Sequence, residues 1–156
     1  MPKLSAGIVV YRNSKEGFIQ LLLVHPGGPL WKNKDEGAWS IPKGEYEESE
    51  NPLTVAKREF EEETGNVLPG NNFIALTPVK IKSGKVISAW AMEADFKKSF
   101  ICSNYFEMEW PPRSGKKQTF PETDKAEWFP IEEARHKINP GQLNFIDQLE
   151  NLLINK

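Results

Sequence analysis

The chain opens with two apolar, β-branched-rich runs, Gly7-Ile8-Val9-Val10-Tyr11 and Phe18-Ile19-Gln20-Leu21-Leu22-Leu23-Val24. The turn-forming stretch Asn13-Ser14-Lys15-Glu16-Gly17 between them predicts a hairpin of two central strands. His25-Pro26-Gly27-Gly28-Pro29-Leu30-Trp31 reads as a loop, and Ala38 to Gly44 as a short strand. Leu53, Ala56 and Phe60 recur at i, i+3 and i+7, the buried stripe of a helix. Asn51 suits the N-cap of that helix, Pro52 its first position, and Gly65 the left-handed residue just past its end. Residues 66 to 72 form a turn region around Pro69-Gly70. Phe73 to Ile81 and Val86 to Phe96 then predict two strands around a Lys82-Ser83-Gly84-Lys85 turn. Tyr105 to Trp110 alternates aromatic or apolar residues with acids, as a half-buried strand does, and places Glu107 and Glu109 on the solvent side. A basic loop, Pro111 to Lys117, leads towards a short strand at Ala126 to Pro130 and a helix at Ile131 to Ile138. Asn139-Pro140 starts a last helix whose buried stripe is Leu143, Ile146, Leu149 and Leu153.

The first helix carries an unusual charge load. Between Gly44 and Gly65 there are eight glutamates in 22 residues, and four of them, Glu59, Glu61, Glu62 and Glu63, crowd its last turn. At 100° per residue Glu59, Glu62 and Glu63 fall together, roughly 110° around from the apolar stripe. Carboxylates there oppose the helix dipole and repel one another. Either that face is fully solvated, or something positive sits on it. Oxygen-only ligands with no neighbouring Cys or His suit a hard cation, Mg²⁺ or Mn²⁺. A calcium loop of alternating Asp or Asn around a Gly is absent.

Composition narrows the possibilities. The length of 156 residues predicts one domain over 1–156 with a sizeable core. A hydrophobic content of 38% with 27% charged residues is that of a soluble globular protein. The net charge of −2 supplies no basic field for long nucleic acid. The single cysteine, Cys102, cannot form an internal disulfide, reads as a packing residue, and fits a cytoplasmic location. MPKLSAG has no apolar signal core, and no run approaches the roughly 20 residues of a membrane span. His25 and His136 lie far apart, and neither Ser-His-Asp, Cys-His nor CxxC spacing is present, so any catalysis would fall to carboxylates and metal.

Gly44, five residues, Glu50, seven residues, then Arg58-Glu59-Phe60-Glu61-Glu62-Glu63-Thr64-Gly65 resembles the Nudix box, GX5EX7REUXEEXGU with U apolar. Every fixed position matches; the final U is Asn66, with Val67 one place later, a departure that bears on packing after the helix. The resemblance implies an α+β protein of the Nudix fold, a mixed β-sheet sandwiched between α-helices. It implies hydrolysis of a phosphoanhydride in a nucleoside diphosphate linked to another group. Carried over by position, Glu59, Glu62 and Glu63 are metal ligands, the Gly44 carbonyl is a further one, and Glu59 or Glu62 serves or orients the base. Arg58 holds a glutamate by a charge-assisted pair, and Glu50 is structural or at the edge of the cluster. The sequence Trp39-Ser40-Ile41-Pro42-Lys43-Gly44, W-x-x-P-K-G, resembles asymmetric diadenosine tetraphosphate hydrolases and mRNA-decapping relatives.

That likeness makes a dinucleoside polyphosphate the leading substrate, with ADP-ribose, a free nucleotide or capped RNA as alternatives, and a non-catalytic nucleotide sensor as a different class. Lys43 would hold a phosphate oxygen as a point charge. Trp31 reads as a loop anchor or a base-stacking platform. Arg113, with Lys116 and Lys117, would close over polyphosphate or simply face solvent. Family members often supply one more catalytic carboxylate from a loop before the tryptophan-bearing strand, which here is Glu122, six residues ahead of Trp128.

Overall fold

The computed structural model describes residues 3–96 and 104–154. The elements in chain order are β1 (Leu4–Asn13), β2 (Ile19–Pro26), β3 (Lys43–Tyr46), α1 (Pro52–Thr64), β4 (Ile74–Ala75), β5 (Val79–Lys80), β6 (Val86–Glu93), β7 (Tyr105–Glu109), β8 (Lys117–Pro121), β9 (Thr123–Pro130), α2 (Ile131–Lys137) and α3 (Leu143–Ile154). A 3₁₀ turn, Pro140–Gln142, precedes α3. The central sheet runs β4-β6-β1-β2-β9, with β3 also paired to β1 and β5 to β6. It is mixed: β1 and β6 are parallel, whereas β1–β2, β1–β3 and β2–β9 are antiparallel. β7 and β8 form a separate hairpin.

The period-2 alternation of the central strands sorts their side chains to two faces. Val9, Tyr11, Leu21, Leu23, Ile87, Ala89 and Ala91 pack with Ala134 of α2 and Phe145, Ile146 and Leu149 of α3. Ala6, Ile8, Val10, Leu22 and Met92 pack with Ala56 and Phe60 of α1. Because both faces are covered, β1 and β2 read as continuous apolar runs. The result is the expected α+β sandwich, with α1 on one side of the sheet and α2 and α3 on the other.

Three expectations about elements change. The strand predicted over Phe73 to Ile81 survives only as β4 and β5. Between them, Gln148 of α3 takes both backbone groups of Thr77, accepting its N–H at 2.7 Å and donating to its C=O at 2.9 Å. Pro78, next in line, has no N–H for a ladder. Over Ala38 to Gly44 only isolated bridges form, Val24 to Ser40 and Trp39 to Ile138, until β3 begins at Lys43. Lys117 to Pro121, read as loop, is β8; its pairing with β7 supplies the regularity that its own pattern lacks. Cys102 lies outside the described residues.

Candidate functional site

Helix α1 starts and stops where local chemistry dictates. The Asn51 side chain accepts from Thr54 N, Pro52 occupies the first turn, and Gly65 closes the helix at φ 73°, donating its N–H to Glu61 O. The buried Phe60 stripe docks α1 on the sheet, and this docking lays Glu59 and Glu63 against β3.

At Gly44, α1 and β3 approach closely. A Cβ built there would stand 2.2 Å from Glu59 Cδ and 2.6 Å from its Oε1, so only glycine leaves room for that carboxylate. One residue earlier, Lys43 donates its backbone N–H to Glu63 Oε2 at 3.0 Å. Glu62 accepts instead from Asn104 Nδ2, at 3.1 Å. The three glutamates thus leave α1 towards three anchors. Among the described residues, no three His, Cys, Asp or Glu side chains converge closely enough to hold a metal ion as they stand.

Electrostatics explain the spread. Burial, then the neighbouring Glu62 charge, raises the pKa of Glu59. Burial pushes the Glu63 carboxyl up to about 8, and the attraction of Lys43 offsets this only in part. Arg58 makes loose ion pairs, 3.8 Å to Glu50 and 3.9 Å to Glu59, too long for the expected charge-assisted hydrogen bond. Lys43 is half-buried on β3, and desolvation followed by the nearby Lys85 lowers its pKa. The α1–β3 junction therefore holds more carboxylate than its cations neutralise, and its donors are all oxygens. This chemistry fits a hard divalent cation.

Glu122 sits in this field: its charge contributes to raising both Glu59 and Glu63. It lies between β8 and β9 with both backbone groups tied, N–H to Asn104 O at 2.7 Å and C=O to Gly27 N at 2.9 Å. The position is a strand junction rather than the loop expected. Glu107 and Glu109 are exposed on one side of β7, as their parity predicts. Trp31 is 37% exposed and lines a cavity with Phe106 and Met108, with Lys34 Nζ 5.0 Å from its ring centroid. Arg113 is in the exposed turn joining β7 to β8, at φ 62°, its N–H bonded to Glu109 Oε1 at 2.7 Å. Counting along β7, that turn is about 17 Å from Asn104 and the carboxylates. Lys43, Gly44, Glu59, Glu62, Glu63, Arg58 and Glu122 are thus brought to one region, and Arg113 is not.

Two contributors were invisible in the sequence. Asn104 touches Glu62 and Glu122, but its own neighbourhood carries no motif. Gln142 is buried and accepts the Ile41 N–H at 3.1 Å while donating to Ser40 Oγ at 3.0 Å, which fixes the segment leading into Lys43 and Gly44.

The raised Glu63 has a measurable consequence. In the unfolded chain this carboxyl titrates near 4.5; in the metal-free fold it holds its proton up to about 8. The folded state binds more protons in that window, so this group's contribution to stability is greatest at the acid end and is lost as pH rises to about 8. In EDTA, the Tm difference between wild type and Glu63→Gln should widen in favour of the variant as pH climbs through this range. A pH-independent difference would assign Glu63 an ordinary titration.

A family model described as NUDIX domain matches residues 1–149. No curated protein matches the chain. Among solved structures, a Caenorhabditis elegans Ap4A hydrolase in a binary complex is similar at TM-score 0.65 and 19% identity, covering 99% of each chain. The NUDIX domain of Shewanella oneidensis NrtR, complexed with ADP ribose, is similar at TM-score 0.67 and 16% identity, over 98% of this chain and 89% of that one. A mutT/nudix family protein from Listeria innocua is similar at TM-score 0.66 and 16% identity, over 99% and 96%. At such identities the solved structures establish the fold. With the family model spanning nearly the whole length and the box intact, the chain belongs to the NUDIX domain family and is a hydrolase of pyrophosphate bonds.

Proposed function

We propose that the protein is a divalent-cation-dependent pyrophosphohydrolase whose leading substrate is a dinucleoside tetraphosphate, cut asymmetrically. The observation that carries the cation requirement is the pair Glu59 and Glu63, partly buried carboxylates whose pKa values are raised because burial outweighs the cations beside them. A polyphosphate is itself anionic and would be repelled by such a site unless metal bridged the two. In this reading Glu59, Glu62, Glu63 and the Gly44 carbonyl hold Mg²⁺ or Mn²⁺. The cation supplies charge neutralisation on the transferring phosphoryl group and a lower pKa for bound water.

The chain's own residues do the rest. Glu59 or Glu62 takes or directs the proton of the attacking water, with Glu122 as a further carboxylate from outside the box. Arg58, between Glu50 and Glu59, limits where Glu59 can swing. Lys43, whose charge interacts with Glu63, Glu45 and Glu59, is the cation assigned to a phosphate oxygen in this reading. Trp31 stacks a base. The full acidic set favours hydrolysis over a nucleotide sensor, which would have little use for it. A cytoplasmic location accompanies this reading; among the described residues no helix is long and apolar enough to cross a membrane.

The test is product analysis with Mg²⁺ on diadenosine tetraphosphate, ADP-ribose, nucleoside triphosphates and capped RNA. The tetraphosphate should yield ATP and AMP with the highest kcat/KM. Lys43→Ala should lower that value about tenfold or more, and lower it less for ADP-ribose, consistent with a lost charge-assisted contact. Faster cleavage of ADP-ribose than of any dinucleoside tetraphosphate would overturn the substrate assignment and leave the family reaction standing.

A further inference from the structure

His25 ends a buried face of β2. Leu21, Leu23 and His25 share that face by the strand's alternation. After two leucines comes an imidazole that is 2% exposed. Its ring meets Trp39 edge-on, at 5.1 Å between centroids. Nδ1 stands 2.7 Å from Asp124 Oδ1, and Nε2 stands 2.6 Å from the carbonyl oxygen of Lys34. A carbonyl and a carboxylate only accept. A neutral imidazole has one N–H and one bare lone pair, so one of these contacts would set a lone pair against an oxygen. Both contacts are hydrogen bonds when each ring nitrogen carries hydrogen.

The two acceptors belong to different parts of the site. Along β2 and β9 the register passes from His25–Lys125 to Pro26–Thr123, so Asp124 is an extra residue on β9. Such a bulge re-aims the side chains beside it. Glu122, two residues before Asp124, accepts the Gly27 N–H on its carbonyl at 2.9 Å. The bulge is therefore clamped from both ends, by the His25 ring and by Gly27. Lys34 lies on the loop that carries Trp31. That loop is tied beyond Lys34 as well. Trp39 Nε1 donates to Asp35 Oδ1 at 2.8 Å, and the Gly37 N–H donates to His136 O at 3.0 Å. The other charges around the ring are Lys125 across the strand pair, Asp35 on the loop, and Lys137 of α2, which is bonded to Asp35.

We propose that His25, with hydrogen on both ring nitrogens, is a positioning residue that holds the Glu122 junction and the Trp31 loop in one arrangement. The proposal rests on the reading of Glu122 as the outer carboxylate of a phosphoanhydride hydrolase. Packing alone does not call for an imidazole here, since a leucine would continue the apolar face. A glutamine or an asparagine satisfies one of the two acceptors and leaves the other without its donor. Asparagine sets its amide nitrogen near the place of Nδ1 and keeps Asp124. Glutamine sets it near the place of Nε2 and keeps Lys34. A displaced junction moves a carboxylate of the reaction, whereas a loosened loop moves a substrate contact. The two nitrogens of the ring therefore act on different kinetic constants.

Nitrogen NMR on the full chain reads the ring directly. The chain has two histidines, so His136→Gln leaves His25 as the remaining imidazole signal. At neutral pH both of its nitrogens should show bonded hydrogen. Amide exchange at Gly27 should quicken at least about tenfold in His25→Gln and in Asp124→Ala, as one charge-assisted bond leaves the clamp. In these two variants kcat should fall about 10- to 100-fold with KM within about threefold of wild type, as for a misplaced reacting group. His25→Asn should do the reverse, raising KM about tenfold with the smaller change in kcat. The Asp124 side chain is 28% exposed, so Asp124→Ala carries the kinetic test should the buried substitutions unfold the chain. A His25 nitrogen without hydrogen, or folded variants that all keep wild-type kcat and KM, would overturn the proposal. Two ring N–H groups and faster Gly27 exchange, in a protein that hydrolyses no nucleotide, would instead sink the reaction and leave the clamp standing.

Discussion

Glu62→Gln should lower kcat about 10²- to 10⁴-fold at saturating Mg²⁺, the range for losing a group that takes or directs a proton, while Tm stays at or slightly above wild type. The two effects separate because the fold uses Glu62 as a hydrogen-bond acceptor, whereas the proposed reaction would need its negative charge. Its structural contact is an accepted hydrogen bond from Asn104 Nδ2 to Oε2, and the carbonyl oxygen of a glutamine accepts the same bond. Its charge, by contrast, raises the pKa of Glu59, so removing it relieves repulsion in the metal-free protein. What the amide cannot do is ligate a hard cation as an anion or accept a proton near neutral pH. Steady-state kinetics with a Mg²⁺ titration, beside a melting curve in EDTA, reads both effects. Wild-type turnover in this variant would remove the box from the mechanism. Glu122→Gln is expected to show the same pattern with a smaller fall, and a larger fall in Glu107→Gln or Glu109→Gln would move the outer carboxylate to β7.

Gly44→Ala should cost about 10²-fold in kcat and little in stability. The three atoms nearest the added Cβ all belong to the Glu59 side chain, Cδ at 2.2 Å, Cγ at 2.4 Å and Oε1 at 2.6 Å. These are the far end of a flexible, half-buried side chain, which yields by rotating rather than by moving backbone. The fold is therefore spared, and the carboxylate is displaced by an ångström or more. Misplacement of that size in a reacting constellation costs about a hundredfold. A Tm loss of many degrees with residual activity per folded molecule near wild type would reverse this assignment and make Gly44 a packing residue alone. Glu59→Ala in the Gly44→Ala background removes the collision and should leave Tm near wild type without restoring turnover.

Much of this site was readable along the chain because its determinants are local. Helix α1 needs an acceptor at Asn51, a ring at Pro52 and a left-handed residue at Gly65, and all three act within one turn of the residues they serve. The alternation in β1 and β2 assigns both faces of the sheet, because a pleated strand has no other way to place its side chains. The fifteen-residue separation of Gly44 and Glu59 belongs to the box, so the motif itself carried their contact. The parity of Glu107 and Glu109 placed them in solvent for the same local reason.

Other features depend on partners far away in the chain. The strand expected over Phe73 to Ile81 is broken because Gln148, seventy-one residues on from Thr77, takes both of its backbone groups. Lys43 is half-buried, not a solvated lysine, because β3 pairs with β1 and lies under Glu63 of α1. Glu122 lies at a strand junction rather than in a loop, with Gly27 and Asn104 holding its peptide groups. Arg113 shares basic composition with a polyphosphate-binding loop, yet the β7–β8 pairing carries it to the tip of a hairpin away from α1. Local pattern by itself determined α1, β1 and β2 and grouped the acids at the end of α1, since capping, periodicity and the box spacing act over a few residues. Tertiary structure alone decided how those acids are neutralised and anchored. Burial and the satisfaction of every buried backbone group are settled only when distant segments pack, and no short stretch of sequence encodes them.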